Sequence, residues 1–174
     1  VYKRQLHTTT FDPGGFSQYV RLPQINTRLG VFPIPDNVTY EEASFAEPLA
    51  CVLRGQNRAN VSAGDTVAVI GSGISGILHI ALARARGAEC IVAADINETR
   101  LPWAEKFGAD ITTNDSFSIP GLLLDKKDRK ADIVILTTGH PKAVQAGFKA
   151  ADEGATILLF APSDPGTTVQ INIT

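Results

Sequence analysis

Hydrophobic positions follow two patterns along this chain, and the change comes near Ala63. Beyond it, Thr66–Ile70 forms a short apolar run, which suits a parallel strand buried on both faces. Ile74, Ile77, Leu78, Ala81, Leu82 and Ala85 then recur at helical spacing, and Gly87 supplies a C-terminal stop. Cys90–Ala94 is a second strand and ends at Asp95. Leu101, Ala104 and Phe107 mark a short helix stopped by Gly108, and Pro102 fits only in its first turn. Ile111–Thr113 reads as a short third strand, Ile133–Thr137 as a fourth, Lys142–Ala151 as a helix and Thr156–Phe160 as a fifth strand. Strict alternation of this kind predicts an α/β fold built on a doubly wound parallel sheet.

Upstream, the pattern is broken and rich in Gly, Pro, Thr and Asn up to about Pro35. Residues Gly15–Leu22 alternate apolar and polar, as a half-buried strand does, after turn chemistry at Asp12-Pro13-Gly14-Gly15. Pro33 and Pro35 keep the following chain extended. Thr39, with Glu42 three residues on, predicts a capping box opening a helix through Ala43 and Phe45. Pro48 is expected to interrupt it, with a second helix from Leu49 to about Ala59.

Composition narrows the class. The 174 residues are 44% apolar, 20% charged and 7% aromatic, close to globular averages, which excludes disorder, collagen and coiled coil. Sixteen Lys and Arg against eighteen Asp and Glu give a net charge of −2, so nothing electrostatic points to nucleic acid or an anionic membrane. No stretch reaches the roughly 20 apolar residues of a membrane span. Two cysteines, Cys51 and Cys90, make no disulfide framework and no zinc-lobe spacing. With no secretory leader in view, the expected compartment is the cytosol. The mixed-sign run Asp125–Lys130 reads as a solvated face. There is no methionine, and Val1-Tyr2-Lys3-Arg4-Gln5 back-translates to GTG TAT AAG AGA CAG, the end of a sequencing-library transposase adapter. Residues 1–5 are therefore read as artefact, with a natural basic tail as the alternative, and the strand-like run Gln170–Thr174 reads as a cut end.

Gly71-Ser72-Gly73-Ile74-Ser75-Gly76 is a G-x-G-x-x-G lying between a strand and a helix, the context a dinucleotide fingerprint requires. Gly71 permits the tight turn, Gly73 lets backbone approach a pyrophosphate, and Gly76 lets helix pack close on strand. First-turn amides and the helix dipole would hold the phosphates. Asp95 closes the second strand 95 − 76 = 19 residues after the last glycine. A carboxylate there accepts hydrogen bonds from ribose hydroxyls and repels a 2′-phosphate, which favours NAD over NADP. A methyltransferase also uses a glycine-rich loop and an acid after the second strand, so the fold alone does not fix the function.

Other segments discriminate. Gly14–Val20, Phe32-Pro33-Ile34-Pro35-Asp36, Glu42–Ala50, Ala63–Val67, Asp95–Leu101 and Phe107–Asp110, taken in order with the glycine loop, resemble the zinc-containing medium-chain dehydrogenases. Glu47-Pro48-Leu49 makes the chain most similar to the sorbitol and threonine dehydrogenase branch. The resemblance covers nearly all of the chain from about Leu6. It implies that residues 6–44 are the last strands of a GroES-like catalytic domain, and that 45–174 are a Rossmann domain incomplete at its C-terminus. The activity implied is hydride transfer from a secondary alcohol or polyol to NAD with a zinc ion polarising the alcohol. The fragment itself would be inactive, because the Cys and His-Glu zinc ligands of such enzymes lie upstream. A full-length protein would be a homo-oligomer. A zinc-free quinone reductase-like enzyme and a non-catalytic NAD-binding protein are the rival readings.

Residue by residue, the resemblance places Glu47 at the catalytic metal, with a helix-end carboxylate satisfied by backbone amides as the alternative. Cys51 either lines the nicotinamide pocket or is a buried, inert thiol, while Cys90 is core. Arg100 reaches the adenosine ribose or lies on the surface. Thr138 and Gly139 end the fourth strand at the cofactor edge, and Phe160, Ala161 and Pro162 occupy the same edge of the fifth, beside the nicotinamide or as packing. His79 reads as a partly buried structural residue, His140 as a loop residue, and His7 belongs to no motif. Trp103 is expected to cover the sheet edge.

Overall fold

The computed structural model describes residues 16–171. The segment 1–5, His7, the turn at 12–15 and the last residues 172–174 lie outside them. The chain divides into two compact units, 1–44 and 45–174.

In the first unit the capping box forms as its residues predict. Glu42 N–H donates to Thr39 Oγ1 at 3.2 Å, and Thr39 N–H donates to Glu42 Oε2 at 2.8 Å. That bond holds the Glu42 carboxyl below its usual range. The helix it opens, α2 (Tyr40–Ala43), follows α1 (Gln24–Gly30), which the sequence pattern did not reveal. Residues 16–22 form no strand beyond a single bridge at Arg21, against the expectation for Gly15–Leu22. Phe16 and Tyr19 stand exposed, so among the described residues the alternation has no core to act on.

The second unit opens with α3 (Ala46–Ala59), and here Pro48 starts a helix rather than breaking one. Lying in the first turn, it lacks only an N–H that no carbonyl would have accepted, and Leu49 N–H makes the first ladder bond to Phe45 O at 2.9 Å. Then follow β1 (Thr66–Ile70), α4 (Ile74–Ala85), β2 (Cys90–Ala94), α5 (Leu101–Lys106), β3 (Ile111–Thr113), α6 (Ile119–Lys127), β4 (Ala131–Leu136), α7 (Pro141–Ala150) and β5 (Ala151–Leu159). Pro102 sits in the first turn of α5, as expected.

All strand pairings are parallel, in the order β3-β2-β1-β4-β5. This is the doubly wound Rossmann arrangement. Successive side chains alternate between two cores. On one face Ala68, Ile70, Val92, Val134 and Leu136 meet α6 and α7 through Ile119, Leu123, Val144 and Ala150. On the other, Val67, Val69, Ile91, Ala93 and Ile135 meet Ala59 of α3, Ile80 and Ala83 of α4 and Ala104 of α5. β5 begins earlier than Thr156: Ala151 pairs with Ala131, and a bulge then brings Thr156 opposite Ile133.

Candidate functional site

The glycine loop is shaped by three close approaches. Gly71 has φ +102°, open to glycine, and a Cβ there would stand 2.4 Å from Thr137 Oγ1. That hydroxyl donates to the carbonyls of Gly71 at 2.8 Å and Ile70 at 3.1 Å, tying the turn to the end of β4. A Cβ on Gly76 would fall 1.9 Å from Gly71 O, so no larger residue fits where α4 leaves the strand. Gly73 is different: it caps α4 without a side chain, and its missing Cβ faces open space, with only Arg100 Nη1 at 4.0 Å. The N–H groups of the first turn of α4 have no intrahelical acceptor, and no acidic residue occupies that turn.

Asp95 is 7% exposed and its carboxylate is already engaged. Oδ2 accepts from Ser72 N–H at 2.7 Å and from Arg100 Nη1 at 3.3 Å, and Oδ1 accepts from Asn97 N–H at 2.8 Å. One lone pair of Oδ1 remains for a further donor. The acid thus orients the glycine loop as well as facing outward, a role the motif alone did not disclose.

These groups open onto a cavity of about 630 Å³ at the carboxyl edge of the sheet, lined by Gly71, Gly73, Asp95 and Arg100 on one side and Thr138, His140 and Lys142 on another. Its size and its place at a switch between β1 and β4 suit an extended small ligand. Asp115 and Phe117, in the turn after β3, complete the wall and were not signalled by any motif. His140 caps α7, its Nδ1 accepting Lys142 N–H at 3.3 Å.

The remaining expected residues lie beside this cavity rather than on it. Ser72 is buried behind Asp95, Gly76 is buried in the turn, and Ile74 and Ser75 form the first turn of α4. Gly139 is pressed against Pro162, where a Cβ would lie 2.3 Å from the Pro162 carbonyl oxygen. Phe160 and Ala161 both donate their N–H to Leu136 O, at 3.0 and 3.1 Å. The Phe160 ring turns into the helix layer, edge-to-face on His79 and close to Gly55. Trp103 is half exposed with Lys106 over its ring, and Cys90 is buried.

Glu47 lies exposed in the first turn of α3, where a carboxylate complements the helix dipole. Against the expectation of a buried thiol, Cys51 is exposed too, one helical turn on; it donates to Glu47 Oε1 at 3.3 Å, and that bond raises the Cys51 pKa. Among the described residues no three His, Cys, Asp or Glu side chains come together as a metal site. None of their helices is long and apolar enough to cross a membrane.

Residues 75–174 match the sequence family described as zinc-binding dehydrogenase. A sorbitol dehydrogenase of Pongo abelii is 33% identical over 144 residues, 80% of this chain and 40% of its own length. An L-threonine 3-dehydrogenase of Symbiobacterium thermophilum is 33% identical over 162 residues, 92% of this chain and 44% of its own. A zinc-binding dehydrogenase structure from Sinorhizobium meliloti 1021, bound to NADP, superposes with a TM-score of 0.75 at 30% identity, covering 81% of this chain and 42% of that one. The chain therefore spans about 40% of the length of the curated relatives it matches. With a matched segment that runs from the glycine loop through all five strands but the first, the chain belongs to the zinc-binding dehydrogenase family.

Proposed function

We propose that this chain is the dinucleotide-binding part of an alcohol or polyol dehydrogenase that passes hydride from a secondary alcohol to NAD. The observation that carries this is the open space at Gly73 beside the buried Asp95, at the mouth of the cavity. The fit is steric and electrostatic together. The unpartnered amides of α4 meet a pyrophosphate where Gly73 leaves room, and the free lone pair of Asp95 Oδ1 accepts a ribose hydroxyl. Arg100, paired with Asp95 and about half exposed, borders the same ribose. Nicotinamide, when bound, supplies the hydride acceptor. Of the residues at the β4 and β5 edge, Thr138 lines the cavity and would border the nicotinamide, while Gly139, Phe160 and Ala161 would support it from behind.

Zinc requires at least three protein donors in a catalytic site, and the described residues do not assemble three. Glu47 would offer such a site one carboxylate from the first turn of α3. Residues 6–44 are read as the end of the GroES-like catalytic domain, the full-length protein as a cytosolic homo-oligomer.

Titrating NADH fluorescence with the chain tests the reading. Saturable binding is expected, and Gly73→Val, which fills the open space without touching the sheet, should weaken it at least about tenfold with the circular dichroism unchanged. Absence of NADH binding by the parent chain overturns the assignment.

A further inference from the structure

Two helices carry the proposed chemistry: α3, whose first turn holds Glu47, and α4, which the glycine loop opens. Their buried contact is apolar except at one step, while at the exposed rim Arg86, the C-cap of α4, donates to Asn57 Oδ1 of α3. On α3 the buried positions are Val52, Gln56 and Ala59, and on α4 they include His79, Ile80 and Ala83. Gln56 and His79 are both 0% exposed. Gln56 Nε2 donates to His79 O at 2.8 Å and lies 3.3 Å from His79 Nδ1, so one amide addresses both the backbone and the ring of a single residue. With Nδ1 accepting, the ring proton sits on Nε2.

The pair is poorly satisfied otherwise. Gln56 Oε1 and His79 Nε2 have no hydrogen-bond partner, and the His79 ring lies edge-to-face on the ring of Phe160, with centroids 4.6 Å apart. Unpaired buried polar atoms cost free energy comparable to the bonds the pair gains, so net stability does not explain it. What a buried polar pair in a largely apolar helix contact does supply is register. Apolar stripes can slide past one another by a turn, about 5.4 Å, and bury nearly the same area, but only one register lets Gln56 reach both acceptors on His79.

We propose that the Gln56–His79 pair is a positioning device that fixes α3 against α4, and so fixes the glycine loop relative to Glu47. Gln56 lies 56 − 47 = 9 residues from Glu47, and His79 lies 79 − 73 = 6 residues from Gly73. A rigid helix carries any slip at the pair undiminished to both ends. Phe160 closes the third side: its N–H is held by Leu136 O, and its ring leaves Gly55 so little room that a Cβ would approach it to 3.2 Å. The consequence for cofactor binding rests on the function proposed above, whereas the register itself does not.

The test compares Gln56→Leu, His79→Leu and the double variant of the chain. Gln56→Leu strands the His79 ring, and His79→Leu leaves Gln56 with only the backbone carbonyl at position 79, so each single variant should lower the thermal midpoint. The double removes the orphaned Gln56 Oε1 and His79 Nε2 together and should recover that midpoint or exceed it. Under the register role, recovery of stability is not recovery of position. The amide resonances of Gly71 and Gly73 stay displaced in the double variant, and NADH affinity stays about tenfold below the parent. A double variant whose Gly71 and Gly73 resonances coincide with the parent's overturns the inference. So does a double variant with displaced resonances but parental affinity for NADH. If the parent itself binds no NADH, the function proposed above falls, and the amide resonances still decide the register.

Discussion

His79 is a base sealed away from water. Burial lowers its pKa from 6.5 to about 4, and no neighbouring charge contributes. Between those values the unfolded chain binds a proton that the folded chain refuses, so stability rises with pH across that window. The contribution is complete above about 6.5 and is lost as the pH falls toward 4, reaching roughly 3 kcal/mol in all. Urea unfolding at pH 7 and pH 5 should therefore differ by about 2 kcal/mol from this group, and His79→Leu should remove that difference. An unchanged pH dependence in the variant would assign it to other groups. Gly71, Gly73 and Gly76 illustrate how much a residue type discloses. Their spacing announces the loop, and the structure assigns each glycine a distinct reason: a positive φ, an open approach and a carbonyl contact.

At the scale of elements, α6, like α1, is a helix that the pattern conceals. Ile119-Pro120-Gly121-Leu122-Leu123-Leu124 mixes two poor helix formers with three consecutive leucines, which gives no clean period. The structure resolves it by placing Pro120 in the first turn and burying Ile119 and Leu123 completely against β2 and β4 neighbours. Leu123→Ala should then cost about 3 kcal/mol, read as a lower urea midpoint at unchanged slope. A loss under about 1 kcal/mol would mean that α6 is only loosely docked. Pro48 shows the same ambiguity from the other side. A proline either ends a helix or begins one, and only the position of the preceding turn decides.

For the molecule as a whole, the cavity joins the ends of β1 and β2 to the turns after β3 and β4, which lie far apart in sequence. A ligand that spans it should stabilise the entire second unit. At 100-fold excess over its dissociation constant NADH should add about 2.7 kcal/mol, visible as a rise in the thermal midpoint. Asp95 makes NADPH the informative control. Its one free lone pair suits a ribose hydroxyl and meets a 2′-phosphate as one anion meets another, although Arg100 offsets part of that repulsion. NADPH should accordingly raise the midpoint less than NADH at equal concentration, and equal shifts would remove Asp95 as the selector.

The sequence by itself determined that the sheet is parallel and doubly wound, because runs of apolar residues separated by helical periods admit little else, whereas the strand order came from the structure. It also determined the glycine loop with its acid, where each residue type answers a local steric or electrostatic need. Tertiary structure decided the rest. Residues 16–22 alternate like a strand, yet no strand forms without a partner ladder. Phe160, at the expected edge, turns its ring to His79 because Gly55 opens the space for it. Gln56 carries no motif at all, and only the packing of α3 on α4 brings it to His79, since the two are separated by 79 − 56 = 23 residues and meet through space alone.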